Sequence, residues 1–246
     1  MPAFFIASEQ VVGSTVVIRG DLLRHLRASL RVRSGEELWL TENQVRRHLV
    51  RVKSVTAVGL TATVVETVVR PAGEAPVVIL GQALLKHDHM DWVIQKATEL
   101  GVSAIIPLIT SRGVVRPDLA RIRTQRERWN RIALEAAQQA ERWDIPDVAE
   151  PQVWRDWIDA VSPVARRMLL HERRRSVALS DMALSDGPDR TFVLAIGPEG
   201  GWTEEETDAA ERAGFHSVSL GERILRAETA ALAAITLLQG RLGQLR

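Results

Sequence analysis

Hydrophobic and polar residues alternate in short runs through the first seventy residues of the chain. The runs lie at positions 15–19, 36–41, 48–55 and 60–69, and they are separated by Gly13, Gly20, Gly35 and Gly59. A period of two over a short run is typical of a β-strand with one buried face, and glycine between such runs favours a turn. The pattern predicts a small β-barrel over residues 1–70.

Segment 71–76 interrupts this periodicity with Pro71, Gly73 and Pro76, and we interpret it as a linker. Beyond it, strands are predicted at 77–80, 104–108, 167–170, 192–196 and 217–220, and helices at 89–100, 121–143, 154–161 and the alanine-rich C-terminal end. Pro146 is expected to stop the long helix. Alternating strands and helices are typical of an α/β domain with a mostly parallel sheet, which we predict over residues 77–246.

The composition of the chain excludes some kinds of site and indicates where its basic residues lie. The chain of 246 residues contains no cysteine, which excludes disulfides, thiolate metal sites and cysteine nucleophiles. The net charge is only +1, yet the first seventy residues hold ten basic and six acidic residues. Arginines there suit contacts to phosphate, although genomic base composition also explains an arginine-rich chain.

Membrane and export signals are not evident in the sequence. The best apolar stretch, at 230–238, is too short to span a bilayer. The first six residues lack the basic start and the cleavage pattern of a signal peptide. We therefore expect a cytoplasmic protein without a membrane partner.

A glycine-rich turn links an apolar strand to a helix at positions 196–206, with the sequence Ile-Gly-Pro-Glu-Gly-Gly-Trp-Thr-Glu-Glu-Glu. Parallel sheets bind ligands at this end of a strand. Thr203 and Glu206 have the spacing of a capping box. Three successive glutamates would repel a phosphate, which favours a ligand without one. A tight turn before an ordinary capped helix explains the spacing equally well.

A second turn from a strand into a helix follows at positions 220–230, with the sequence Leu-Gly-Glu-Arg-Ile-Leu-Arg-Ala-Glu-Thr-Ala. Charged residues there frame an apolar Ile-Leu pair. Two such turns at strand ends can form one pocket. The second turn therefore shifts the balance from a simple tight turn towards a ligand site.

Both turns resemble signatures of one family, the ribosomal RNA small-subunit methyltransferases that make N3-methyluridine, within the superfamily of knotted (SPOUT) methyltransferases. The first turn is similar to the family's GPEGG-T-EE motif, and the second is similar to its LG-x-RILR-x-ETA motif. The resemblance continues at 82–86, 90–101 and 107–112. It therefore covers nearly the whole chain.

The resemblance implies a front domain similar to PUA-type RNA-binding barrels, a back domain with a deep trefoil knot, and a homodimer formed through the knotted domain. General rules of chain topology disfavour a knot, so only the resemblance supports it. One apolar face of the last helix is a candidate for the dimer interface, or else for packing within the chain. This face comprises Ala230, Ala231, Ala234 and Leu238.

The resemblance also implies transfer of a methyl group from S-adenosylmethionine, without a metal, to N3 of a uridine in 16S ribosomal RNA on the assembled small ribosomal subunit. The expected cofactor-binding residues are Gly197, Pro198, Glu199, Gly200, Gly201, Leu220, Gly221, Ile224, Leu225 and Thr229. The expected RNA-binding residues are His25, Arg31, Lys86, Lys96, Arg112, Gln139 and Arg142.

Arg226 and Glu228 are the candidates for catalysis. Methylation of uracil at N3 requires removal of its proton and stabilisation of negative charge on the neighbouring carbonyl oxygens. Arginine suits the second task, so we expect Arg226 to stabilise the uracil anion or its phosphate. Glu228 is a candidate for the base or for a residue that orients the reacting groups. A structural ion pair at a helix start is the alternative for both.

Three other features are given no role in function. The cluster His87, Asp88 and His89 invites a metal interpretation, but without a cysteine or a distant partner motif we predict a solvated loop. His48 is expected to be exposed. The arginine run at 173–175 is left unassigned.

Two other classes of function stay open. A non-catalytic ribosome-assembly factor can retain this fold and bind RNA without turnover, although the intact glycine motifs argue against it. An enzyme of the same fold can methylate a 2′-hydroxyl or a tRNA base, because a fold does not fix its substrate. Analysis of the methylated nucleoside distinguishes these possibilities.

Overall fold

The computed structural model describes residues 3–73, 75–115, 119–172, 176–184 and 190–245, so the arginine run at 173–175 lies outside the described residues. The chain divides into two compact units. The first comprises residues 1–73 and 137–144, and the second comprises residues 74–136 and 145–246. The first unit is therefore assembled from two separate stretches of sequence.

The first unit is built on one six-stranded sheet. Its strands are β1 (Ala3–Ile6), β2 (Val11–Val12), β3 (Thr15–Ile18), β4 (Glu37–Glu42), β5 (Arg46–Val55) and β6 (Leu60–Val69). They lie in the order β1-β4-β5-β6-β3-β2, with β1 parallel to β4 and all other neighbours antiparallel. The predicted strands are confirmed, whereas the PUA-like barrel stays a prediction.

A helix, α1 (Gly20–Ala28), interrupts the strands of the first unit. The sequence pattern predicts only strands in this region, so α1 is a correction. Its two buried residues, Leu23 and Leu26, lie three positions apart and enter the same apolar core as Phe4 and Leu40. This spacing is helical, but two buried leucines give too short a stripe to stand out in the sequence.

His48 lies inside the first unit with 5% of its surface exposed, so the prediction of an exposed side chain is wrong. It shares the inward face of β5 with Val50 and Val52, because alternate residues of a strand face the same side. Its Nδ1 lies 2.9 Å from Oγ1 of Thr67, and its Nε2 lies 3.0 Å from Oε2 of Glu42. These hydrogen bonds satisfy both ring nitrogens in the core.

The second unit alternates strands and helices. Its strands are β7 (Val77–Ala83), β8 (Ala104–Ile109), β9 (Asp147–Val148), β10 (Gln152–Val153), β11 (Arg166–Leu170), β12 (Val177–Ala178), β13 (Thr191–Ile196) and β14 (His216–Ser219). Its helices are α2 (His89–Glu99), α3 (Leu119–Gln139), α4 (Trp154–Ala160), α5 (Glu204–Arg212) and α6 (Ala227–Arg241), of which α3 ends within the first unit.

The sheet of the second unit has the order β10-β8-β7-β13-β11-β14-β12, and β9 pairs with β8. Every strand pair in the described part of this sheet is parallel. The prediction of an α/β fold with a mostly parallel sheet is confirmed. The trefoil knot stays a prediction.

α3 ends at Gln139, before the predicted end at residue 143. Glu141 has a φ of 51°, in the left-handed region, where a right-handed helix cannot continue. Beyond it, Asp144 accepts hydrogen bonds from Arg142 at 2.8 Å and from Arg70 at 3.0 Å. Burial raises the pKa of Asp144, but these two arginines outweigh it and leave the pKa below its ordinary value. Pro146 is therefore not what stops the helix.

Both faces of the parallel sheet are covered, as a buried parallel sheet requires. Leu80 and Leu194 face a core that contains residues of α2, α3 and α6, while Val193 and Ala195 face a core that contains residues of α4 and α5. No helix in the described part of the chain combines the length and apolarity needed to cross a membrane.

The apolar face of α6 packs within the chain, which is the second of the two alternatives that the sequence leaves open for it. Ala231, Ala234 and Leu238 are fully buried among residues of the second core, while Ala230 is only partly buried. α2 is the helix that α6 contacts most extensively. The homodimer stays a prediction.

Candidate functional site

A pocket of about 550 Å³ lies where β13, β11 and β14 end. β11 lies between the other two strands in the sheet, so the turns after β13 and β14 flank the residues that follow β11. The two glycine turns predicted from sequence therefore share one pocket. All the expected cofactor-binding residues except Thr229 line it, and so do Arg226 and Glu228.

The first turn, residues 197–203, is held in a defined shape. Gly201 has a φ of 69°, which favours glycine, and its N–H donates to the carbonyl of Pro198 at 2.9 Å. A Cβ on Gly197 would stand 3.1 Å from the ring of Trp202, whose Nε1 donates to the carbonyl of Leu170 at 3.0 Å. Trp202 therefore packs against Gly197 and leaves little room there for a side chain.

The predicted capping box after this turn is confirmed. The N–H of Glu206 donates to Oγ1 of Thr203 at 3.1 Å, and the N–H of Thr203 donates to Oε2 of Glu206 at 2.9 Å. Two backbone donors at the start of α5 are thereby satisfied within the protein. The start of α5 is fixed relative to the glycine turn.

A third loop, residues 110–113, supports the first turn, a contact that the family resemblance at residues 107–112 does not predict. The N–H of Ser111 donates to Oε1 of the buried Glu206 at 2.7 Å. Nη1 of Arg112 donates to the carbonyls of Gly200 at 3.3 Å and Trp202 at 3.0 Å. Arg112, expected to bind RNA, thus holds the glycine turn and also lines the pocket.

The second turn, residues 220–226, presents apolar surface to the pocket. Gly221 has a φ of 106°, a conformation that other residues rarely adopt. Ile224 is 67% exposed although it lines the pocket. An exposed branched side chain on a pocket wall offers an apolar contact to a ligand.

Arg226 and Glu228 stand where the second turn enters α6. Arg226 is the N-cap residue of α6, and it is exposed. Glu228 lies in the first turn of α6 with 13% of its side chain exposed. Both candidates for catalysis therefore line the same pocket, two positions apart in the sequence, and their roles stay a prediction.

His89 also lines the pocket, so the prediction of a solvated loop is wrong for this residue. It is the first residue of α2, and its Nδ1 lies 3.6 Å from Oε1 of Glu228. The pairing comes from the packing of α2 against α6, which neither motif encodes. Among the described residues, no group of three or more potential ligands is arranged to hold a metal ion.

The remaining expected residues lie outside the pocket. Lys86 and Gln139 are exposed, and Lys96 pairs with Glu99 at 2.8 Å. His25 and Arg31 are exposed in the first unit. Their contact with RNA stays a prediction. Arg142, bound to Asp144 with most of its side chain enclosed, stabilises the first unit, and its contact with RNA also stays a prediction.

Comparison with known proteins finds a matching family model and similar proteins. Residues 73–239 match the family model of the RNA methyltransferase domain. The chain is 35% identical to ribosomal RNA small subunit methyltransferase E of Synechocystis sp. over 94% of the chain and 74% of that protein. It is 30% identical to the protein of the same name in Bacillus subtilis over 90% and 88%.

A solved structure is also similar to this chain. The ribosomal RNA small subunit methyltransferase E of Neisseria gonorrhoeae, bound to S-adenosyl methionine, superposes with a TM-score of 0.87 at 33% identity over 98% of each chain. The present chain belongs to the ribosomal RNA small subunit methyltransferase E family. The resemblance inferred from the two glycine turns is confirmed.

Proposed function

We propose that this protein transfers a methyl group from S-adenosylmethionine to N3 of a uridine in 16S ribosomal RNA, on the assembled small subunit. The observation that carries the proposal is the single pocket that joins both glycine turns to Arg226 and Glu228. The names of its relatives support a ribosomal RNA substrate, and the bound S-adenosyl methionine in the Neisseria gonorrhoeae structure supports the cofactor.

The residues of the pocket fit this cofactor. The backbone at Gly197, which lines the pocket, offers hydrogen-bonding groups to a flat, neutral base, and the exposed Ile224 offers an apolar cover for its face. The glutamates at 204–206 disfavour a phosphate, and S-adenosylmethionine has none. We assign the expected cofactor-binding residues to this task, with Thr229 the exception because it does not line the pocket.

The bound cofactor supplies a methyl group on a sulfonium, which a nucleophile can displace. The protein must then make N3 of uracil nucleophilic and hold it in line. Arg226, exposed at the pocket, is suited to stabilise the charge that develops on the uracil carbonyl oxygens. Glu228 is suited to take part in removing the N3 proton.

We propose that the first unit holds the RNA. His25 and Arg31 are exposed there, and the basic excess of the first seventy residues favours phosphate contacts. The PUA-like barrel, the trefoil knot and the homodimer belong to this proposal, because they follow from the family resemblance. A cytoplasmic location follows from the proposed ribosomal substrate.

Comparison of substrates tests the proposal against its alternatives. We expect labelled methyl transfer to small subunits that lack the modification, with little transfer to free 16S RNA or to tRNA. Transfer to tRNA, or to a ribose hydroxyl, would show that the protein is a methyltransferase with a different substrate. Cofactor binding measured by calorimetry without any transfer would favour the assembly-factor alternative.

A further inference from the structure

The pair His89 and Glu228 has unusual surroundings for two polar side chains. Nδ1 of His89 and Oε2 of Glu228 are both enclosed and make no hydrogen bond. An enclosed polar atom without a partner destabilises the folded state. The two side chains face each other, with Nδ1 3.6 Å from Oε1. A small movement of either side chain would close this gap into a hydrogen bond.

The two ends of the His89 ring differ in environment. Nδ1 is enclosed beside Glu228, yet 43% of the side chain remains exposed. The exposed part of the ring is therefore the edge away from Glu228, and His89 lines the pocket. A carboxylate that accepts Nδ1–H leaves Nε2 as a proton acceptor, which is how carboxylates orient catalytic histidines.

We infer that His89 is the catalytic residue that removes the N3 proton of the uracil, and that Glu228 is the positioning residue that orients it. This inference rests on the proposed function. The N3–H bond breaks and the proton passes to Nε2 of His89. The electron pair left on N3 forms the bond to the methyl carbon as the bond between that carbon and sulfur breaks, which leaves a neutral thioether. The proton then leaves the exposed ring to solvent.

The pocket is lined by other charged or titratable groups as well. They are Arg112, His171, Glu172, Glu199, Arg223 and Arg226. Arg112 is bound to backbone carbonyls of the first turn. On α2 itself, Asp91 pairs with Arg128, and Asp88 lies 4.0 Å from the same arginine. Glu228 is therefore the carboxylate that faces the enclosed nitrogen of His89.

Single-turnover methyl transfer to small subunits, measured against pH with saturating S-adenosylmethionine, tests the inference. His89→Gln should slow transfer by about 100-fold or more near neutral pH. It should also remove the fall in rate on the acid side that protonation of a histidine base produces. Glu228→Gln should slow transfer and keep that fall. The matched control is His87→Gln, because His87 is exposed and does not line the pocket.

Each outcome decides the inference. The inference is overturned if His89→Gln keeps the wild-type pH profile and transfers methyl groups within threefold of the wild-type rate. It is also overturned if Glu228→Gln loses the fall in rate at acid pH while His89→Gln keeps it. If His89→Gln lowers the melting temperature, His89→Ala is assayed with added imidazole, where a restored rate supports the inference and an unchanged rate overturns it. The affinity of these variants for S-adenosylmethionine, measured by calorimetry, should equal that of wild type. A wild-type enzyme that makes no N3-methyluridine overturns the proposed function itself.

Discussion

Oε1 of Glu206 accepts a hydrogen bond from the backbone N–H of Ser111 at 2.7 Å, across 95 positions of sequence. The other oxygen of the same carboxylate caps α5 through Thr203. One buried side chain thus fixes the loop after β8 against the glycine turn after β13. The geometry of the pocket depends on this link, because both segments contribute to its wall.

Replacement of Glu206 by glutamine should destabilise the protein and weaken cofactor binding. One amide N–H₂ would then face a backbone N–H donor, which costs about 1–3 kcal/mol of unfolding free energy. Chemical denaturation and calorimetry with S-adenosylmethionine measure the two effects. Glu205→Gln is the matched control, since Glu205 is exposed in the same helical turn. Equal behaviour of the two variants would contradict the linking role of Glu206.

Gly81 in β7 should not tolerate a side chain. A Cβ at this position would overlap the indole ring of Trp157, which is buried in the core on the α4 side of the sheet. Overpacking of this kind costs about 1–3 kcal/mol, so Gly81→Ala should lower the unfolding free energy. Gly240→Ala in α6 is the control, because its Cβ would meet no atom within 4 Å. We expect it to be neutral or to stabilise by about 0.5–1 kcal/mol. Equal stability of the two variants would show that the sheet accommodates the methyl group.

Arg226→Ala should reduce methyl transfer by about 100-fold or more, because a donor to developing charge is lost. The melting temperature should change little, since the side chain is exposed. Arg155→Ala is a control for the loss of an arginine, because Arg155 forms only an exposed pair with Asp159. Near-normal transfer by Arg226→Ala would remove Arg226 from the reaction.

Stability of the first unit should depend on pH through Glu42. Hydrogen bonds from Ser8 and His48 outweigh the opposing effect of burial and hold the pKa of Glu42 below its ordinary value of 4.5. A lowered pKa in the folded state contributes stability that is fully present above the unfolded value and is lost as the pH falls through the folded value. The loss should therefore begin as the pH falls below about 4.5 and grow towards lower pH.

Glu42→Gln removes the group that titrates, so the variant should be less stable at neutral pH and should lose less stability on acidification. Urea denaturation at a series of pH values gives both quantities. Glu66→Gln is the control, because Glu66 is exposed on β6 of the same sheet. If wild type and Glu42→Gln lose equal stability between neutral and acidic pH, the network around Glu42 does not contribute in this way.

Regular periodicity predicted most of the fold. Strand β6 matches its alternating run at 60–69, and the capping box at Thr203 gave the start of α5. The failures occur where tertiary contacts outweigh local pattern. The prediction of an exposed His48 is wrong because this polar side chain lies on the inward face of β5. α3 stops early because the chain turns at Glu141, and the pairing of Arg142 and Arg70 with Asp144 follows from that turn.

The site was predictable where it consists of contiguous motifs. Both glycine turns could be recognised from spacing and resemblance, and they do share a pocket. The sequence predicts the capping role of Glu206 at the start of α5. Its hydrogen bond with Ser111 connects distant segments and therefore leaves no local pattern in the sequence. The sequence predicts a solvated loop at His89, because the approach of this side chain to Glu228 depends on the packing of α2 against α6.

The central claim is tested most directly by incubating the protein with labelled S-adenosylmethionine and small ribosomal subunits from a strain that lacks this gene. The RNA is then digested and its nucleosides identified. We predict that the label appears in N3-methyluridine of 16S ribosomal RNA. Label in any other nucleoside, or none at all, would contradict the account.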